Sequence, residues 1–127
     1  MKGIYCLVIF LKNEKEIRIG KKSISFPKGY YCYVGSALNN LEKRIDRHLR
    51  KKKKFHWHID YFLKEAKITG FRIKKYFEDE CWVSKQIEKI GGIIIMKGFG
   101  SSDCSCKTHL YYFSKNPLKN KKFNKLF

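Results

Sequence analysis

Arg44 and His48 stand four residues apart in the stretch LEKRIDRHL, and Tyr33 precedes them in YYCYVGS. Residues four apart on a helix stack on one face, so a helix here sets a guanidinium beside an imidazole. A guanidinium offers a planar fork of donors matched to phosphate oxygens. A neighbouring tyrosine or histidine can orient water or move a proton. Tyr33 closes an aromatic run, and Gly35 lets the chain turn sharply into the helix, so the three side chains can line one concavity. The competing reading is that Arg44, three residues after Leu41, only snorkels beside a buried stripe. Tyr5, in KGIY, supplies a second phenol, and Glu80, near the start of a later helix, supplies a carboxylate. Glu80 lies three residues before Val83 and seven before Ile87, so it leans toward the packed side. There it is either a partner of the helix dipole or a metal ligand.

These residues need a scaffold, and the composition allows one. The chain has 127 residues, of which 43% are hydrophobic, enough for one domain with its own core. The formal net charge is +18. A field of that sign and size attracts polyanions, which puts nucleic acid first among partner classes and an anionic membrane surface second. A lysine-rich surface kept for solubility or heat tolerance is the plainer alternative. The five cysteines are odd in number and scattered through apolar runs. They do not read as a disulfide framework, and a reducing, cytoplasmic setting follows. The apolar N-terminal run is too short to cross a bilayer and ends in charges, so no membrane segment is expected.

The positioning elements follow from periodicity. Residues 3–11, GIYCLVIFL, form a continuous apolar run and predict a central strand. IRIG and SISF alternate and predict a half-exposed hairpin. Residues 30–34, YYCYV, predict another strand. Gly35 to Asn40 forms a loop, with Asn39 as a helix cap and Glu42 completing a capping box; Leu41, Ile45 and Leu49 mark the buried stripe of the helix that follows. The basic run at 50–54 ends that helix where its dipole favours cations. Residues 55–66 predict a second helix, 68–77 a strand and 78–90 a third helix stopped by Gly91–Gly92. IIIMKG and THLYYFS predict strands, joined by FGSSDCSC. The expected fold is α+β, a small, mostly antiparallel sheet with about three helices packed on it. A single domain is expected over 1–115, with a basic tail at 116–127 that is prone to fray.

KGIY and YVG, taken with the loop and helix SALNNLEKRI, resemble the paired signature triplets of the GIY-YIG nuclease superfamily. The longer segments YYCYVGSA, KKFHWHIDYFL and GFGSSDCSCKTHLYYF are similar to those of a small GIY-YIG-like family of archaea and bacteria. The resemblance covers Gly3 to about Phe113. It implies neighbouring strands that bring Tyr5 and Tyr33 together, with Arg44 as the catalytic arginine and His48 at a position held by tyrosine or histidine. Glu80 is the candidate ligand for one Mg2+ or Mn2+ ion. The activity implied is metal-dependent endonucleolytic hydrolysis of a phosphodiester in DNA or RNA, with DNA the first expectation. Tyr5 or Tyr33 would take the proton of the attacking water, for which a lowered tyrosine pKa is expected from the metal and Arg44. This chain differs by a hairpin-length insertion between the triplets (12–28) and by Ser36 where repair nucleases often carry lysine.

Other features compete. HWH (56–58) and CSC (104–106) offer zinc-type ligands, but their spacing does not match familiar zinc modules, and His56 and His58 diverge on a helix. Zinc is therefore disfavoured, with one cysteine and one histidine joined by His109 or Asp103 as the residual arrangement. The run HLRKKKKFHWH is either a solvated helix end or a phosphate-gripping strip with interleaved aromatics. On the second reading Lys43, Arg47, Arg50, Lys51, Lys52, Lys53, His56 and His58 contact nucleic acid, joined by Ser102, in the polar loop beside the cleft, and by His109. A non-catalytic nucleic-acid-binding module on the same fold is the alternative function. Oligomeric state is not encoded in any of these patterns.

Overall fold

The computed structural model describes residues 1–77, 79–101 and 106–127. Glu78 and residues 102–105 lie outside them, and so do the expectations placed on those residues. The fold is α+β. The first strand, β1 (Gly3–Leu11), is followed by a hairpin, β2 (Lys15–Ile19) and β3 (Lys22–Phe26), and then by β4 (Gly29–Ala37). Next come α1 (Leu41–Leu49), α2 (His58–Leu63), β5 (Lys67–Lys75) and α3 (Glu80–Lys89). Two short strands, β6 (Ile93–Ile94) and β7 (Leu110–Phe113), precede a 3-10 turn at Pro117–Lys119 and a last helix, α4 (Lys121–Asn124). The strands form an antiparallel sheet in the order β5-β1-β4-β7-β6, with β2 and β3 paired apart from it.

The apolar run of β1 is continuous because the strand is covered on both faces. Tyr5, Leu7, Ile9 and Leu11 point to one side, where they meet Leu41 and Ile45 of α1, Ile59 and Phe62 of α2, and Phe26 of the hairpin. Ile4, Cys6 and Val8 point to the other side, against Val83 and Ile87 of α3 and Phe123 of α4. The inserted hairpin thus supports α2 from below; the Phe26 and Phe62 rings lie 5.0 Å apart, edge to face. The β1–β4 register sets Tyr5 opposite Gly35 and Leu7 opposite Tyr33. Two residues along a strand return to the same face, so this register places both phenols on the α1 side of the sheet.

Several local expectations are corrected. The cap of α1 is Asn40, whose side chain accepts from the Lys43 N–H, not Asn39. The inward stripe of α1 is Leu41, Ile45 and His48, whereas Leu49 is half exposed. A period of 3.6 residues admits either i+7 or i+8 as the next inward position. The helix ends at Leu49, and the hydroxyl of Tyr5 gives a polar partner to i+7. The second helix is only His58–Leu63, with residues 55–57 ahead of it and Trp57 extended, because Asp60 bonds the backbone N–H groups of His56 and Trp57 as a cap. The strand expected from IIIMKG is reduced to Ile93–Ile94. Residues 116–127, expected as a loose tail, pack on the sheet. Asn116 and Asn120 cap the two turns, Asn124 accepts from Arg72, and Phe123 is fully buried. Finally, Cys81 and Cys106 are joined as a disulfide, while Cys6 and Cys32 are free and buried. The sequence pattern could not reveal that pair, because 25 residues separate its members.

Candidate functional site

A cavity of about 280 Å3 opens at the end of β1 and β4 where α1, α2 and α3 converge. Tyr5 comes from β1, Tyr33, Gly35 and Ser36 from β4, and Arg44 from α1. Glu80 enters from the first turn of α3, and His109 from the residue before β7. Gly100 and the segment His56–His58 close the remaining wall. Residues far apart in the chain are thus drawn to one spot, and the strand register is the device that does it.

The tyrosine side of the cavity is tightly built. The Tyr5 hydroxyl lies 2.7 Å from His48 Nε2. Tyr5 and Tyr33 have ring centroids 6.5 Å apart, and His48 stands edge-on to Tyr33 at 6.0 Å. Gly35 is required here by close approach: a Cβ at that position would fall 2.3 Å from the Tyr5 hydroxyl. Gly100 has φ +66°, and a Cβ on it would press on the Tyr33 ring at 3.2 Å. His48 is buried and neutral at physiological pH, its pKa lowered to about 4 by burial first and by Lys53 second. Its Nδ1 has no partner among the described residues. An unpaired buried polar atom costs about 1 to 3 kcal/mol, so stability alone does not explain the placement of this ring.

Both phenols are shifted the opposite way to expectation. Burial raises the Tyr5 pKa well above the ordinary tyrosine value; Arg44 opposes the shift but does not overcome it. Tyr33 is raised likewise, by burial and then by Tyr5 and Glu80. A low dielectric disfavours a phenolate, and the Arg44 charge acts from the partly exposed rim. In the free protein neither tyrosine is poised to ionise.

Arg44 donates from Nη1 to the Ser36 carbonyl at 3.2 Å, and its guanidinium lies 4.7 Å from the centre of the Trp57 ring. Arg47 covers the same indole at 4.3 Å. Arg47, expected on nucleic acid, is instead held by Asp60 through two bonds of 2.9 and 3.0 Å and by the Lys54 carbonyl. Asp60 is fully buried, with its pKa lowered to about 2; burial opposes that shift, and the bonds from Arg47, Trp57 and His56 outweigh it. Lys53 donates to the Arg47 and His48 carbonyls, satisfying the end of α1. Lys43, Arg50, Lys51, Lys52 and His56 are exposed, and Arg50, Lys54 and Phe55 belong to a second, shallower basic hollow beside the first. His58 accepts from the Gly100 N–H through Nδ1 at 3.0 Å, which anchors the glycine wall and needs the neutral ring.

Glu80 is the acidic member. Its Oε1 lies 3.1 Å from His109 Nδ1, and its side chain is 28% exposed at the rim. Among the described residues its second oxygen has no partner. His109 is buried, and its Nδ1 also faces the Val34 carbonyl at 3.2 Å. Sequence reasoning did not assign Trp57, Ser36 or Gly100 to the site. Only the aromatics interleaved in HLRKKKKFHWH hinted at Trp57; Ser36 contributes a backbone oxygen, which no residue type advertises.

Fold and site together define a basic α+β domain with a tyrosine–arginine–glutamate cavity at one end of its sheet. Residues 4–127 match the family model described as a domain of unknown function, DUF123, and the chain belongs to that family. Comparisons with curated proteins and with solved structures find no match. Among the described residues, no helix is long and apolar enough to cross a membrane.

Proposed function

We propose that this protein is a divalent-metal-dependent endonuclease of GIY-YIG type, hydrolysing phosphodiester bonds in DNA or RNA. The observation that carries this reading is the convergence of Tyr5, Tyr33, Arg44 and Glu80 on a single cavity of about 280 Å3, with His48 behind it on the Tyr5 hydroxyl. His109 is placed here as the neighbour that holds Glu80 rather than as a contact of the nucleic acid.

Glu80 would hold the Mg2+ or Mn2+ ion. One carboxylate with an unpartnered oxygen at a wet rim suits a hard cation that keeps most of its water and takes further oxygens from a phosphate. When bound, the ion supplies charge neutralisation at a phosphate oxygen. Arg44, braced by the Ser36 carbonyl and stacked on Trp57, presents its remaining N–H groups to the same phosphate and stabilises charge as the water attacks. Tyr5 orients that water. Ionising Tyr5 is disfavoured by burial, so its part is to orient rather than to ionise. In the tautomer with its proton on Nδ1, the neutral His48 ring accepts a hydrogen bond from the Tyr5 hydroxyl at Nε2 and leaves the phenol oxygen's lone pairs to accept from the attacking water. Tyr33 packs beside this pair and shapes the wall. The exposed basic residues at 43 and 50–52 grip flanking phosphates.

The test is a panel of nicked, branched, damaged and single-stranded substrates with Mg2+ or Mn2+. Metal-dependent cleavage should disappear in Arg44→Ala and Glu80→Gln while circular dichroism and thermal midpoint are retained. Salt-sensitive binding without cleavage of any substrate would replace this reading with the non-catalytic binding module.

A further inference from the structure

Cys81, Cys106 and His109 bring two sulfurs and a ring nitrogen within 4.8 Å of one another, Cys81 and Cys106 partly exposed and His109 buried. They come from three places: the first turn of α3, the approach to β7, and the residue before β7. We propose that the reduced form of this cluster is a zinc site, separate from the oxygen site at Glu80.

The chemistry of the three donors selects the ion. Thiolates and imidazole prefer Zn2+ over the hard cations suited to Glu80. A tetrahedral site with Zn–S near ~2.3 Å needs its donors about 3.5 to 4 Å apart, so the cluster requires only small side-chain rotations once the sulfurs separate.

The setting of His109 is an independent observation. A zinc-bound histidine characteristically donates its other N–H to a carboxylate or backbone carbonyl, which selects the tautomer and raises ligand basicity. His109 Nδ1 faces two such acceptors, Glu80 Oε1 at 3.1 Å and the Val34 carbonyl at 3.2 Å. Neither a carbonyl nor an ionised carboxylate can donate, so Nδ1 carries the proton and Nε2 carries the lone pair. The backbone of His109 is also held, its N–H by the Phe99 carbonyl and its C=O by the Val34 N–H. The imidazole is therefore pre-oriented before any ion arrives.

The bonded sulfurs set the order of events. Two equivalents of a thiol reductant, R–SH, convert the Cys81–Cys106 bond to two thiols and leave as R–S–S–R. Binding one Zn2+ then displaces one proton from each thiol. Three protein ligands leave a fourth position for water or another donor. Either linkage, S–S or S–Zn–S, ties the start of α3 to the segment before β7. Because Cys81 follows Glu80 and His109 touches it, both linkages hold that carboxylate at the cavity rim.

The experiment uses the full chain reduced with a phosphine, which is then removed, and titrated with Co2+ as a spectroscopic stand-in. One Co2+ per chain should produce sulfur-to-cobalt charge transfer in the near ultraviolet, displaced by one equivalent of Zn2+. Cys81→Ser and Cys106→Ser should each abolish the band, and Tyr5→Phe should keep it. Should the serine variants misfold, alkylation mapped by mass spectrometry decides on the unaltered chain: Zn2+ should shield Cys81 and Cys106 from reagent. No sulfur-to-cobalt band in the reduced protein, an undiminished band in Cys81→Ser, or no Zn2+ shielding of those two cysteines overturns the proposal. No substrate is involved, so this result and the cleavage result stand or fall separately.

Discussion

His48 sits where a helix would ordinarily bury a leucine, and its protonation carries a measurable signature. In the unfolded chain it titrates at its ordinary 6.5; folded, burial and then Lys53 hold it down to about 4. Between these values the unfolded chain takes up the extra proton, so stability is complete above about pH 6.5 and is lost as the pH falls toward 4. At ~1.4 kcal/mol for each pH unit crossed, the loss is about 3 kcal/mol. His48→Gln should flatten this slope in urea unfolding midpoints followed from about pH 7 downward. The Asp60 contribution should survive in that variant, because its folded pKa of about 2 lies below its ordinary 3.8 and its stabilisation is lost only as the pH falls through that lower window. On the proposed function, Tyr5→Phe removes the hydroxyl that touches His48 and should lower kcat by about 10^2 to 10^4. Arg44→Lys should not restore what Arg44→Ala loses, because an ammonium has no planar fork to share between Ser36, Trp57 and a phosphate.

At the scale of elements, two joints hold the cavity in shape. The first is Asp60, whose carboxylate binds Arg47 and two backbone N–H groups at the start of α2. Asp60→Ala strips those donors of their acceptor inside the fold and should cost about 3 to 5 kcal/mol, read as a lower urea midpoint. The second is the crossing of β1 and β4 at Tyr5 and Gly35. Gly35→Ala would drive a methyl into the Tyr5 ring, so Tyr5 must leave its place or the strands must part. A crystal structure of that variant with Tyr5 unmoved would show the crossing to be looser than the register implies. At the other end, Phe123→Ala should cost about 3 to 5 kcal/mol. A thermal midpoint close to that of the parent chain would mean that α4 adds little to the second core.

At the scale of the molecule, charge dominates. On the proposed function, with a net +18 and an exposed basic run beside the cavity, binding to nucleic acid should weaken steeply with salt. Six phosphate contacts would cost about 10^3 in affinity between ~50 and ~200 mM salt. Replacing Lys51 and Lys52 by glutamine should reduce the slope of log K against log salt by about 2, measured by fluorescence anisotropy. An unchanged slope would move the binding face elsewhere. Arg47 and Lys53 contribute less to this field than their number suggests, since one is paired with Asp60 and the other bonds the end of α1.

The strands β1 and β4, the hairpin, α1 and α3 were all legible in the amino-acid sequence. Their signals are local: apolar runs, alternation, a 3.6-residue stripe, caps and glycine stops act over a few residues. The candidates Tyr5, Tyr33, Arg44, His48 and Glu80 were legible as types at suggestive spacings. Their meeting was expected from the resemblance and the helix spacing, but no local pattern contains it, because it depends on the register that sets Tyr5 opposite Gly35 and on where α3 enters the end of the sheet. Long-range pairing also decided the features that local pattern misjudged. His48 displaces Leu49 from the core because Tyr5 offers it a bond, Arg47 is taken by Asp60, burial raises both phenols against the pull of Arg44, and Cys81 meets Cys106. In each case the deciding term is desolvation or a contact between distant segments, and neither exists until the chain has folded.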